Sequence, residues 1–236
     1  MGKEIINAVK QNQNFKIVCG FDLQENNENG FPIYNNLEKI KEQIDVIIDF
    51  SVPVATFKIL EFAKQNKIPI VIATTGFNKE QLEEIEIISK MIPVFRSANM
   101  SLDINLMANI LQKVAQVLKD SDIEITETHH NRKVDSPSGT ALLLADAINK
   151  VFNNEKEYNF DRMNKREKRD KKEIGFSSIR GGNIVGEHTV QFFGENETLE
   201  ITHKAYSRQV FAEGALKAAE FIIKQDPGLY NMENLV

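Results

Sequence analysis

Glu127-Thr-His-His-Asn-Arg-Lys-Val-Asp-Ser-Pro-Ser-Gly-Thr-Ala141 places two histidines, a lysine and a run of small residues within fifteen positions. Histidine titrates near neutral pH and is the usual proton donor or acceptor in catalysis. Lys133 adds a cation close by. Ser136-Pro-Ser-Gly-Thr140 reads as the start of a helix, where free backbone N–H groups and the helix dipole favour anions and the hydroxyls add donors. Each feature has an ordinary reading alone: a surface histidine, a solvated lysine, a capping segment. Together they point to a small carboxylate substrate held at a helix N-terminus beside a proton donor. Side chains alternate along a strand, so His129 shares a face with Glu127, and with His130 only if the strand has ended. Adjacent histidines make poor joint ligands and no cysteine lies near, so no metal is expected here.

Two later stretches extend the theme. Ser178-Ile-Arg-Gly-Gly-Asn-Ile-Val-Gly-Glu-His188 carries a glycine pair suited to a tight turn or a close backbone approach. Within it, Arg180 is read as a structural ion-pair partner rather than a fork for substrate. Arg208 opens the last helix, where a cation opposes the helix dipole. That cost favours a functional reason, namely a bidentate grip on a substrate carboxylate.

The elements that must hold these residues alternate in the first half of the chain. A helix over 2–13 precedes an apolar strand over 15–21, a polar loop over 26–30 and a buried strand over 45–50. Ser51 caps the next helix with Pro53 in its first turn, and that helix ends near Lys67. A strand over 69–73, a tight loop at Thr74-Thr-Gly76, a helix capped by Asn78 and ending near Met91, and a strand over 93–98 follow. Single helices between strands imply parallel βαβ units with right-handed crossovers. After Asn99 the rhythm changes to a helix over 101–119, a strand over 123–130 and a helix to about Phe152. Residues 153–172 are charge-rich, lack a clear period and read as a mobile solvated loop or a short exposed element. Residues 177–205 are extended, which suggests a mixed or antiparallel sheet, and a helix over 208–224 closes the chain. The fold class is α/β: a Rossmann-like dinucleotide-binding domain, a second α+β domain with a mixed sheet, and a last helix returning to the first.

Phosphate-binding βαβ units put glycines between the first strand and first helix, and an acidic residue about 20 positions on at the ribose hydroxyls. Gly2 opens the first helix and Asp22 ends the next strand, which fits the last glycine and the acidic residue of such a motif. The first strand and the rest of the glycine loop are expected upstream, with Met1 an internal methionine. An inner strand without its neighbour would leave backbone groups unpaired.

The chain has 236 residues, 42% hydrophobic and 27% charged, with a net charge of -5, a balance unsuited to nucleic acid as main partner. Cys19 is the only cysteine, so no intrachain disulfide exists, and it reads as a small buried residue in a reducing compartment. No apolar run approaches a membrane span, no secretory signal precedes the first helix, and Ile6 stands where a myristoylation signal needs Ser or Thr. The protein reads as cytoplasmic.

The 127–141 segment resembles the signature of the dihydrodipicolinate reductases of lysine and diaminopimelate biosynthesis. Asp49-Phe-Ser-Val-Pro53, Ala73-Thr-Thr-Gly76, Ala98-Asn-Met-Ser101, the stretch from Ile179 to His188 and Pro227-Gly-Leu-Tyr-Asn-Met-Glu233 are similar to its other motifs, so the likeness covers nearly the whole chain. It implies hydride transfer from NADH or NADPH to a cyclic imine dicarboxylate. His129 would then be the catalytic acid and Lys133 the assisting cation. Substrate would be bound by His130, Ser138, Gly139, Thr140 and Arg208. The cofactor would meet Gly2, Asp22, Ala73, Thr74, Thr75, Ala98, Asn99 and Met100. The family is built as a homotetramer through its second domain, which makes 1–98 with 208–236 the dinucleotide domain and 99–207 the substrate-binding and oligomerisation domain. Leu23 and Gln24 follow Asp22 with no adjacent arginine for a 2′-phosphate, a lean towards NADH. Two other readings compete: a truncated, non-catalytic relative that binds a dicarboxylate or a protein partner, and another NAD-dependent dehydrogenase of amino-acid-like carboxylates.

Overall fold

The computed structural model describes residues 1–26 and 30–236. The polar loop expected over 26–30 therefore lies, for its three central residues, outside the described residues. Packing divides the chain into two units, Met1–Ser101 with Gln209–Val236, and Leu102–Arg208.

In the first unit, helix α1 (Gly2–Lys10) leads to β1 (Gly20–Phe21), which pairs in parallel with β2 (Ile33–Tyr34). A strand over 15–21 was expected. Only its last two residues pair, where β2 reaches them, and the strand that in a doubly wound sheet separates β1 from β3 has no counterpart among the described residues. Cys19 is half-buried rather than part of the core.

The larger sheet of this unit is parallel throughout. It consists of β3 (Ile47–Asp49), β4 (Ile70–Ile72), β5 (Pro93–Arg96) and β11 (Gly228–Tyr230), in the order β11-β5-β4-β3. The inner strands β4 and β5 are buried on both faces, as parallel strands under helices require, whereas the outer strands β3 and β11 are partly exposed. Helix α2 (Pro53–Asn66) lies between β3 and β4, and α3 (Lys79–Ser89) between β4 and β5. Ile59, Leu60, Ala63, Ile70, Ile72, Ile85 and Val94 form the core they share.

Two capping expectations had different outcomes. Asn78 caps α3 in a reciprocal box with Gln81. At α2 the N-cap is Val52, with Pro53 in the first turn, and Ser51 instead donates its N–H to Asp49 Oδ1 (2.9 Å). The helix needs no side-chain cap from Ser51 because Thr56 and Asp49 tie its first turn to the end of β3. Helix α6 (Gln209–Ile222) belongs to this unit and meets α1 through Ala8, Ala212 and Leu216. The closing motif at 227–233, which has no catalytic logic of its own, supplies β11.

In the second unit, α4 (Leu102–Val117) and α5 (Gly139–Val151) pack on one face of a five-stranded sheet. Its strands are β6 (Asp122–His129), β7 (Glu157–Asn159), β8 (Glu173–Arg180), β9 (Gly186–Phe193) and β10 (Thr198–Ala205), in the order β10-β9-β6-β8-β7. β10, β9 and β6 run antiparallel, whereas β6, β8 and β7 run parallel, so the sheet is mixed. The stretch over 153–172, expected to be a mobile loop or a short exposed element, holds such an element. It contains β7, anchored because Asn149 bonds both the N–H and the C=O of Lys156 (2.9 and 3.0 Å). Along β6, Ile123, Ile125, Glu127 and His129 all turn to the helix-covered face. The apolar members join the core with Leu111, Leu144 and Ile148. The polar members, at the far end, build the site.

Candidate active site

β6 ends at His129, so His129 and His130 have different surroundings. His129 is buried, and its Nδ1 lies 2.5 Å from Glu127 Oε2. A carboxylate only accepts, so Nδ1 carries the proton and Nε2 is left as the nitrogen that can meet another group. Nε2 makes no hydrogen bond among the described residues. A Cβ added at Gly186 would come within 3.0 Å of it, so glycine there keeps its approach open.

Glu127 is 1% exposed and receives a two-pronged grip from Arg180, Nη1 to Oε2 (2.8 Å) and Nη2 to Oε1 (2.7 Å). Arg180 is the ion-pair partner its sequence reading favoured. Burial alone would raise the Glu127 carboxyl, but the guanidinium and His129 outweigh it and hold it down at about 2. For His129, burial is the larger influence and Glu127 opposes it, so the ring sits below its usual value.

His188, opposite Glu127 in the β6–β9 ladder, was not singled out by the sequence as a site residue. It stands edge-on to His129, with ring centroids 5.1 Å apart, and its Nε2 meets Ser138 Oγ at 2.8 Å. Burial, followed by the neighbouring His129, pushes it down to about 3, so it is a neutral wall. The signal available was its inward phase in an alternating strand.

That burial carries a stability prediction. A histidine depressed from 6.5 to about 3 stabilises the fold fully above pH 6.5, and the contribution is lost as pH falls towards 3. Between pH 6.5 and 4.5 the loss is on the order of 3 kcal/mol. Thermal melts over that range should fall steeply for the native chain and distinctly less for His188→Gln. Equal slopes would assign the acid sensitivity to other groups. Glu127 acts in a lower window, from 4.5 down to about 2.

The loop after β6 is held by the expected glycine turn. Gly181 N–H donates to His129 O (2.9 Å), His130 N–H to Ile184 O (2.8 Å), and Gly182 takes a φ of 53°. Lys133 is mostly buried and pairs with Asp135 (2.8 Å). His130 is half-buried, with Arg208 Nη2 3.4 Å from its Nε2. Partial burial, then Arg132, Arg208 and Lys133, push its ring towards the neutral form.

α5 begins at Gly139, with Ser138 as cap: Ala141 N–H donates to its Oγ (3.1 Å). The Ser138 hydroxyl is thus taken up by the helix and His188, and its N–H donates to Glu127 (3.2 Å). Gly139 is exposed and Thr140 partly so. The second unit therefore brings together His129, His130, Lys133, Ser138, Gly139, Thr140 and Arg208: one oriented histidine, several cations and a helix start.

In the first unit the expected cofactor residues gather at the carboxyl ends of parallel strands, where open α/β sheets bind nucleotides. Buried Asp49 organises them, a role the sequence did not reveal. It accepts from Thr56 Oγ1 (2.5 Å) and Thr74 Oγ1 (3.1 Å), and its C=O accepts from Ala73 N–H (2.8 Å). Thr75 is exposed, and Gly76 turns the chain with a φ of 86°.

Beyond β5, Ser97 Oγ donates to Asn99 O (2.7 Å) and Asn99 Oδ1 accepts from Ser101 N–H (2.8 Å), while Ala98 is exposed and Met100 buried. Arg96 Nε is buried without a partner, under the Phe77 ring. Asp22 is exposed, one carboxylate oxygen accepting from Leu23 N–H (2.6 Å), and Gly2 is the exposed first residue of α1. The strand-end loops, a free oxygen on Asp22 and an orphaned guanidinium nitrogen fit a dinucleotide.

A parallel nucleotide-type sheet in one unit, with a buried histidine–carboxylate pair beside a helix start in the other, is the arrangement of a two-unit dinucleotide-dependent oxidoreductase. Profiles described as "Dihydrodipicolinate reductase, N-terminus" and "Dihydrodipicolinate reductase, C-terminus" match residues 1–100 and 103–236. The chain belongs to the dihydrodipicolinate reductase family. The 4-hydroxy-tetrahydrodipicolinate reductase of Caldanaerobacter subterraneus subsp. tengcongensis is 51% identical over 100% of this chain and 94% of its own. That of Clostridium novyi is 46% identical with the same coverage. A solved dipicolinate-bound dihydrodipicolinate reductase from Paenisporosarcina sp. TG-14 superposes with a TM-score of 0.80 at 26% identity, covering 100% of this chain and 95% of that one.

Proposed function

We propose that the chain reduces 4-hydroxy-tetrahydrodipicolinate to tetrahydrodipicolinate with loss of water, in lysine and diaminopimelate biosynthesis. The observation that carries this reading is His129, its Nδ1 tied to buried Glu127 and its Nε2 free, beside Lys133, Arg208 and the start of α5. NADH or NADPH, when bound, supplies the hydride. Ala73, Thr74, Thr75, Ala98, Asn99 and Met100 form its site, with Gly2 and Asp22 towards the adenosine end.

The dicarboxylate is gripped by the backbone N–H groups of Gly139 and Thr140, by His130 and by Arg208. Ser138 supports this grip by shaping the helix start. Loss of the 4-hydroxyl and a neighbouring C–H proton as water gives the conjugated imine. Hydride addition then leaves an enamide anion. Protonated His129 gives its Nε2 proton to the carbon of that anion, so the product is the neutral imine and His129 is left neutral. Lys133 exchanges Asp135 for the substrate and offsets the negative charge of the anionic site. An anionic substrate also favours the protonated form of His129 against burial.

The finer points are part of the same reading. Asp22 followed by Leu23 and Gln24 favours NADH. The face of the mixed sheet away from α4 and α5 exposes Ser177, Ile179 and Phe193, the last two large and apolar; an uncovered sheet face of this kind supports tetramer assembly through the second unit. Among the described residues no helix is long and apolar enough to cross a membrane, in keeping with work in the cytoplasm on a soluble metabolite.

The test is oxidation of NADH and of NADPH with freshly prepared cyclic substrate, for the native chain and Lys133→Ala. The native chain should turn over, more efficiently with NADH. Lys133→Ala should raise KM and lower kcat, each by about tenfold or more, since it removes a cation from an anionic, water-poor site. Unchanged constants would remove Lys133 from the mechanism, and a folded chain inactive with both nucleotides would favour a dicarboxylate-binding protein.

A further inference from the structure

The carboxylate of Glu127 has more partners than one histidine requires. His129 Nδ1, both Nη atoms of Arg180 and the N–H of Ser138 all converge on it at 2.5–3.2 Å. Arg180 does not stop there. Its Nη2 also donates to Asp135 O (2.7 Å), and the Asp135 side chain holds Lys133 Nζ (2.8 Å). The chain of contacts His129–Glu127–Arg180–Asp135–Lys133 is continuous. It starts from paired positions of two neighbouring strands, because His129 faces Arg180 in the β6–β8 register.

We propose that Glu127 and Arg180 form a positioning pair serving both reacting side chains: Glu127 fixes the His129 ring with Nε2 presented to substrate, and Arg180 fixes the segment bearing Lys133. The proposal rests on the assignment of His129 and Lys133 to the chemistry. A buried ion pair of this kind is weak evidence for stability, since desolvation offsets most of its attraction. Its value is geometric. A carboxylate on the second ring nitrogen sets the tautomer and orientation of a catalytic histidine, and the planar fork of an arginine holds two groups at fixed angles in a way lysine does not.

The charged and titratable groups facing His129 are Glu127 on its own strand, Arg180 from β8, His188 from β9 and Lys133 from the following loop. Only Glu127 favours the protonated ring. Without it, the two cations and burial act unopposed, and protonation becomes harder.

Glu127→Gln should lower kcat by about 10²-fold, leave KM within about threefold, and move the alkaline limb of kcat to lower pH by roughly one unit. Nitrogen-15 NMR of the histidine side chains in the substrate-free protein should show His129 protonated on Nδ1 in the native chain and as a tautomer mixture in the variant. Arg180→Lys, which keeps the charge and loses the fork, should lower kcat and also raise KM, because it releases the Lys133 segment. It carries the same test if Glu127→Gln does not fold.

A native pH profile and an unchanged His129 tautomer in a folded variant would overturn the proposal and leave the pair a structural brace. The tautomer measurement needs no turnover. If His129→Ala proved fully active while Glu127→Gln still altered the tautomer, the parent assignment of His129 as acid would fail. The serving of two reacting groups would fail with it.

Discussion

His129→Ala is expected to lower kcat by about 10²–10⁴-fold, the usual span for loss of a general acid, with KM for the dicarboxylate little changed. The split follows from where the ring sits. His129 is buried at the end of β6, its Nδ1 committed to Glu127 and only Nε2 available, so it has a proton to give and little anion to hold. In the proposed mechanism anion binding falls to groups further out, namely His130, Lys133, Arg208 and the start of α5. His130→Ala should therefore act mainly on KM. The fold should tolerate loss of the His129 ring, because Arg180 still neutralises the Glu127 carboxylate through two bonds. Steady-state constants and a melting curve for the same preparation check both halves. Near-native turnover would remove His129 from the chemistry, and a collapsed melt would make it chiefly a core residue.

The parts of the site visible in the sequence are those that local periodicity encodes. Two-residue alternation along β6 put Glu127 and His129 on one face, and the run of Ser, Pro, Gly and Thr marked the start of α5. What stayed hidden depends on distant pairing. Glu127 and Arg180 are 53 positions apart, and only the β6–β8 register brings them together. Asp49 looks like the polar end of a buried strand, and its role emerges when Thr56 and Thr74 fold onto it.

The same reason explains the elements that the sequence misread or left open. Residues 15–19 have strand composition but no partner for a ladder. β7 and β11 have weak composition and exist because β8 and β5 offer an edge. Strand formation is a property of pairs, whereas helices such as α3, with its Asn78–Gln81 box, carry their boundaries in their own sequence.

Gly214→Ala is expected to destabilise the first unit by about 3 kcal/mol or more, at or beyond the upper end for overpacking. At an exposed site within a helix the same exchange would stabilise by up to about 1 kcal/mol. Gly214 lies inside α6, and a Cβ there would stand 1.8 Å from the carbonyl oxygen of Met100 and 2.9 Å from its carbonyl carbon. Both are backbone atoms, directly after the Asn99 turn, so relief requires moving α6 or that turn.

Gly175→Ala makes the control. Its Cβ would meet Glu124 at 2.1 Å, also far inside contact distance, but the obstacle is the end of a flexible side chain. Glu124 can swing aside for the loss of a partly exposed contact with Arg169 (3.0 Å), worth about 1 kcal/mol or less. Melting curves run side by side should place Gly214→Ala about 10 °C or more below the native chain and Gly175→Ala within a few degrees of it. The Gly214 variant should also bind dinucleotide more weakly below its melting range, because the displaced turn carries Asn99 and Met100. Equal, small losses in both variants would mean that α6 slides freely past Met100 and that close backbone contact is not what fixes the turn.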